Sequence, residues 1–122
     1  MTNLSVGVDI EEVSRFPKLV RDRRFLKRVF TPQEITYCLS KKNKSQHFAV
    51  RFAAKEAVWK ALSEVIRDLK KTVAHKEVGI RNTSTGKPEV VLPPILSKWK
   101  KKITISLSHT HSYAVAVAVV KK

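Results

Sequence analysis

Arg51-Phe52-Ala53-Ala54-Lys55-Glu56-Ala57-Val58-Trp59-Lys60-Ala61-Leu62 is the stretch around which the rest of the chain is organised. Phe48, Phe52, Trp59 and Leu62 recur at spacings of four, seven and three. Such spacings put them on one stripe of a helix, predicted from about Ser45 to beyond Leu62. Ala49, Ala53 and Ala57 flank the stripe and let a neighbouring element approach closely. Glu56 and Lys60 lie one turn apart, so both side chains project from one neighbourhood. Alone, they read as an ordinary Glu-to-Lys surface pair on an amphipathic helix. Gly7-Val8-Asp9-Ile10 near the start and Ser106-Leu107-Ser108-His109 near the end change that reading.

A length of 122 residues fits a single domain over 1–122, large enough for a core and small enough to gain from oligomerisation. Hydrophobic content of 43% is ordinary for a globular chain, and no apolar run reaches transmembrane length. Met1-Thr2-Asn3 leads directly into a strand-like segment. No signal peptide is therefore expected, and the chain is placed in the cytoplasm without membrane attachment. A lone cysteine, Cys38, builds neither an intrachain disulfide nor a zinc cage and reads as a half-buried apolar residue. Twenty-five Lys and Arg against ten Asp and Glu give +15. That charge attracts polyanions, acidic proteins or phosphate-rich small molecules. Nucleic acid is the default partner for it, but no zinc-finger spacing, aromatic-rich RNA-binding pattern or helix-turn-helix pattern appears.

Residues 4–10 alternate like a strand, with Val6, Val8 and Ile10 on one face and Gly7 and Asp9 on the other. Glu11 and Glu12 follow at once, and this concentration of acid in a basic chain points weakly to a cation site. Between residues 15 and 28, seven basic side chains oppose only Asp22. Arg21, Arg24 and Arg28 fall at helical spacing, with Phe25 and Val29 marking an apolar face. Such a run is either a solvated face or a docking face for an acidic partner. Pro17 suits a first helical turn. Thr31-Pro32-Gln33-Glu34 predicts a capping box opening a helix that carries Ile35, Cys38 and Leu39 inward. Residues 63–71 read as a further helical turn or a loop. Two strands flank the turn at residues 82–87 as a hairpin. Pro93-Pro94 breaks the second of them, and Ile95, Leu96 and Trp99 predict a short helix before Lys100-Lys101-Lys102. Ile103, Ile105 and Leu107 alternate with polar residues as a half-buried strand, and residues 109–112 turn the chain into a last one.

From the residues alone, the candidates for chemistry are Asp9, Glu56, Lys60, His109 and His111. Two histidines two apart at a turn are poor evidence for a metal site, and neither a Gly-rich phosphate loop nor a nucleophile elbow is present. Two carboxylates far apart in sequence suit magnesium, which takes one or two protein carboxylates and completes its octahedron with water and substrate phosphates. A nearby lysine then neutralises a phosphate or protonates a leaving group.

Gly7-Val8-Asp9-Ile10-Glu11-Glu12-Val13-Ser14-Arg15-Phe16 resembles the opening motif of holo-acyl-carrier-protein synthases, the small single-domain 4′-phosphopantetheinyl transferases. Phe30-Thr31-Pro32-Gln33-Glu34 with Tyr37-Cys38, residues 51–62, Gly86-Lys87-Pro88 and Ser106-Leu107-Ser108-His109 are similar to the family's further blocks, in the same order. The resemblance runs from Val6 to Val120. It implies transfer of the phosphopantetheine arm of coenzyme A to a serine of apo acyl carrier protein, in support of fatty acid biosynthesis. It also implies an α+β fold with an antiparallel sheet packed on a long central helix, assembled as a homotrimer with active sites between subunits. Asp9 and Glu56 are then the ligands of Mg2+, and Lys60 stabilises the leaving phosphate. Arg51 binds phosphates of the nucleotide, and His109 contacts phosphate or orients the nucleophile. The general base is a metal-bound water, a carboxylate or His109. Arg15, Arg21, Arg24 and Arg28 become the docking face for the acidic carrier. In one departure, Ser63-Glu64-Val65-Ile66-Arg67-Asp68 stands where the family has a Gly-rich turn, so coenzyme A contacts there are expected to differ. The rival readings are a non-enzymatic basic binding module and a degenerate transferase that binds coenzyme A without turnover.

Overall fold

The computed structural model describes residues 3–122. Strand β1 (Leu4–Glu12) leads through a 3₁₀ turn into α1 (Phe16–Val20), α2 (Arg23–Val29), α3 (Pro32–Leu39) and the long α4 (Lys44–Val65). A short α5 (Leu69–Thr72) and a 3₁₀ turn at His75–Glu77 precede the hairpin of β2 (Gly79–Asn82) and β3 (Pro88–Val91). A 3₁₀ segment, Pro94–Lys102, feeds β4 (Ile103–His109) and β5 (Tyr113–Lys121). The main sheet has the order β1-β5-β4 and is antiparallel throughout. The expected α+β arrangement of antiparallel strands on one long helix is present.

Small residues set the spacing between β1 and α4. Ala53, Ala57 and Ala61 are fully buried on the helix, and Gly7 faces Ala57 and Ala61. A Cβ on Gly7 would lie 1.9 Å from the carbonyl oxygen of Ala57, so only glycine allows this approach. Ser5 Oγ donates to the Ala61 carbonyl at 2.7 Å one step along. Alternation in β1 holds: Ser5, Gly7 and Glu11 are buried and Asp9 half-buried, while Val6, Val8 and Ile10 stand outward, 51 to 62% exposed. At the other end of α4, Phe48 meets Phe30 with ring centroids 5.1 Å apart, and Phe16 and Phe30 are fully buried under α1 and α2.

The Thr31 capping box forms as predicted, with Thr31 N donating to Glu34 Oε1 at 2.7 Å and Glu34 N to Thr31 Oγ1 at 3.2 Å. Glu34 does more than cap. It also accepts from Lys55 Nζ (2.8 Å) and Ile80 N (2.8 Å), and Lys55 Nζ donates onward to the Lys76 carbonyl (3.0 Å). One buried carboxylate–ammonium pair therefore ties α3, α4, β2 and the His75–Glu77 turn.

Several expectations are corrected. Residues 21–28 are not one helix: Asp22 Oδ1 accepts from Arg24 N (3.0 Å) and Phe25 N (3.1 Å), capping a new helix. Arg21 thus sits at the end of α1, separate from Arg24 and Arg28 on α2. Leu39 faces outward at 43% exposure, whereas Cys38 is fully rather than half buried. Burial pushes the Cys38 thiol up to about 11. After α4, Asp68 takes the left-handed conformation (φ 53°) that starts α5. Glycine adopts that conformation freely, and aspartate tolerates it because its short side chain bonds locally.

Gly7→Val is expected to lower stability by about 3 kcal/mol or more, since strand and helix must separate; the midpoint of urea unfolding reads it. Glu34→Gln leaves the Lys55 ammonium buried without its counter-charge and is expected to cost about 3–5 kcal/mol. Adding Lys55→Met in a double-mutant cycle should recover most of that loss.

Candidate active site

Asp9 points from β1 toward α4, its side chain only 13% exposed. Lys60 reaches it from the helix, donating to the Val8 carbonyl at 3.0 Å and to Asp9 Oδ1 at 3.3 Å. Asp9 Oδ2 is buried and has no hydrogen-bond partner. A buried carboxylate oxygen left unpaired costs free energy, so it marks a place where a ligand atom belongs. Lys60 therefore does not pair with Glu56 as the one-turn spacing first reads. Glu56 has instead the imidazole of His75, with Nε2 3.5 Å from its Oε2. His75, then Lys60, hold the Glu56 carboxyl below the usual carboxylate range, against its partial burial.

Glu11, two residues beyond Asp9 on the same face, accepts from Arg15 Nη1 at 2.7 Å. Burial, then the neighbouring Asp9 carboxylate, push Glu11 up to about 7; Arg15 works against the rise and Glu56 adds to it. Asp9, paired with Lys60, and Glu11 and Glu56 thus form a local acidic region in a protein of net +15. Among the described residues no cage of three or more metal-ligating side chains is formed. Asp9 with its orphaned oxygen and Glu56 nevertheless match what magnesium asks of a protein, one or two carboxylates beside room for water and phosphate.

Arg51 and His109 meet elsewhere. They line a cleft of about 360 Å³ with Tyr37, His47, Gly86 and Ser106, and its walls include none of Asp9, Glu56 and Lys60. Arg51 is 5% exposed. Its guanidinium lies 4.2 Å from the Tyr37 ring centroid and donates to the Ile80 carbonyl (3.2 Å) and Asn82 Oδ1 (3.4 Å), while Nε is buried and unpaired. Burial, then the positive charges of Lys41 and Arg51, hold His47 below the ordinary histidine range. The cleft is electropositive and suits an anion. His111 turns away to other clefts. Arg21, Arg24 and Arg28 are exposed, and Arg15 is half engaged by Glu11.

The sequence reading weighs Glu11 only as part of an acidic run beside Asp9, although the strand alternation that places Gly7 and Asp9 together also places Glu11 with them and Glu12 apart. His75 lies in a 3₁₀ turn without periodicity or motif, and nothing in the sequence ties it to Glu56.

The family described as the 4′-phosphopantetheinyl transferase superfamily matches residues 5–118. A curated relative from Geotalea daltonii, named holo-[acyl-carrier-protein] synthase, is 48% identical over 88 residues, spanning 70% of this chain and 68% of its own. Among solved structures, the holo-[acyl-carrier-protein] synthase of Neisseria meningitidis superposes with a TM-score of 0.79 at 31% identity, covering 97% of this chain and 98% of its own. The Helicobacter pylori synthase, solved in complex with coenzyme A, gives 0.77 at 31% identity, covering 95% of this chain and 99% of its own. Matched along nearly its whole length, with β1 and α4 bringing Asp9 and Lys60 into contact, the chain belongs to the 4′-phosphopantetheinyl transferase superfamily.

Proposed function

We propose that this protein is a holo-[acyl-carrier-protein] synthase, transferring 4′-phosphopantetheine from coenzyme A to a serine of apo acyl carrier protein in fatty acid biosynthesis. The single observation that carries the reading is the unpartnered, buried Asp9 Oδ2 beside Lys60. Relatives at 42 to 48% identity bear the synthase name.

In this reading Asp9 and Glu56 hold Mg2+, which as a Lewis acid offsets charge on the pyrophosphate of coenzyme A. The carrier serine oxygen bonds to the phosphorus bearing pantetheine, the pyrophosphate P–O bond breaks, and adenosine 3′,5′-bisphosphate leaves. Lys60 neutralises the leaving phosphate and holds a proton for it. Arg51 and His109 bind nucleotide phosphate in the electropositive cleft. Either the carboxylates or His109 receive the serine proton. Arg15, Arg21, Arg24 and Arg28 dock the acidic carrier, their charge steering the encounter. Residues 1–122 act as one domain in the cytoplasm, with no nucleic acid or membrane as partner.

The protein works as a homotrimer with its active sites between subunits. Supporting this, the outward face of the sheet is apolar: Val6, Val8 and Ile10 stand opposite Val119, Val117 and Val115, and the β1 residues are more than half exposed. An apolar sheet face of this kind marks an association surface. Separation of the Asp9–Lys60 pair from the Arg51–His109 cleft within one chain also fits a site completed by a second copy.

Incubated with apo acyl carrier protein, coenzyme A and Mg2+, the protein should add one phosphopantetheine to the carrier, read by intact mass. A chelator and Glu56→Gln should each abolish the gain, and Lys60→Ala should slow it about 10²- to 10³-fold. No gain with folded protein across several carriers defeats the transferase reading. In sedimentation equilibrium the chain should run as a trimer, and Val8→Glu should give inactive monomers; a monomeric wild-type protein defeats the assembly.

A further inference from the structure

His75 has no part in the reading above, yet its placement is tightly determined. Nε2 is buried, makes no hydrogen bond, and has the Glu56 carboxylate beside it, with Oε2 at 3.5 Å. One face of the ring rests against Trp59, with centroids 4.8 Å apart and planes at 48°. Glu56 and Trp59 are three residues apart on α4, so one turn of that helix supplies both the apolar support and the polar contact. The His75–Glu77 turn is fixed in its turn. Val78 N donates to the His75 carbonyl (3.3 Å), Ala74 N donates to Glu77 Oε1 (3.1 Å), and Lys55 Nζ holds the Lys76 carbonyl (3.0 Å). Lys55 is itself fully buried and locked to Glu34 at 2.8 Å. For the backbone of this turn to move away from Glu56, the buried lysine would have to lose a partner it cannot replace with water.

A glutamate has three side-chain torsions, and a half-buried one that must hold a cation needs its second oxygen restrained. Outer-shell partners of metal-ligating side chains do this, and losing one typically lowers metal affinity 10- to 100-fold. We propose that His75 is a positioning residue that grips Glu56 through Oε2 and leaves Oε1 for the divalent cation. The inference rests on the reading of Asp9 and Glu56 as the cation ligands.

Binding of Mn2+ in place of Mg2+, followed by the protein-dependent loss of the free-ion EPR signal in the presence of coenzyme A, tests it without turnover. His75→Phe keeps a ring against Trp59 and removes the nitrogen; it is expected to weaken Mn2+ binding tenfold or more. His75→Gln, which retains a donor, is expected to stay within about threefold of wild type, with unfolding midpoints confirming that both variants fold. Should His75→Phe bind Mn2+ as well as or better than wild type, the positioning role is overturned, and tighter binding would show His75 competing with the cation for Glu56. Glu56→Gln is the separate control: it should abolish binding, and if it does not, the cation site itself is wrong and His75 has nothing to position.

Discussion

The structure depends on one absence of side chain. Because Gly7 carries no Cβ, β1 sinks onto α4 until backbone meets backbone at Ala57, and that depth brings Asp9 within reach of Lys60. A strand held off by even one methyl group would carry Asp9 away from Lys60, whose contact is already 3.3 Å. Small residues here are positional devices: Ala53, Ala57 and Ala61 contribute little apolar area, but they fix the height at which two halves of a site from opposite ends of the sequence meet. Packing of this density transmits small displacements rather than absorbing them.

The second determinant is the buried Lys55–Glu34 pair. Desolvating two charges brings little net stability on its own, but every bond this pair makes goes to a different element. Glu34 closes the cap of α3 and receives the β2 backbone, while Lys55 receives the turn that carries His75. It specifies where those elements sit relative to α4, so the neighbour of Glu56 is set by a residue one position earlier in the chain.

What was legible in the sequence was what local pattern encodes. Spacing of Phe48, Phe52, Trp59 and Leu62 gave α4, alternation gave β1 and β4, and Thr31-Pro32-Gln33-Glu34 gave a cap that formed as written. Asp9, Glu56 and Lys60 stood out as candidates from the residues alone and took their expected roles from motif resemblance, and β1 with α4 brings Asp9 and Lys60 into contact. Pattern misled where charge masked a cap: Asp22 among arginines looked like an interruption of a basic face and is instead the start of α2. Lys55 was unreadable because a lysine on a helix is ordinarily solvated, and the partner that makes its burial tolerable lies 21 residues away. His75 sits on an aperiodic turn whose position only the tertiary fold determines.

The outward valines of β1 have a colloidal consequence. β1 is an edge strand of its sheet, and an edge with unpaired backbone beside an apolar face is a template for runaway strand addition. A newly made chain exposes that surface before anything covers it. The net charge of +15 then acts as a dispersant: like-charged chains repel at range, and only an approach that buries enough apolar area overcomes the repulsion. The same lysines and arginines that favour anionic ligands thus set a barrier against indiscriminate clumping, one that high salt would lower.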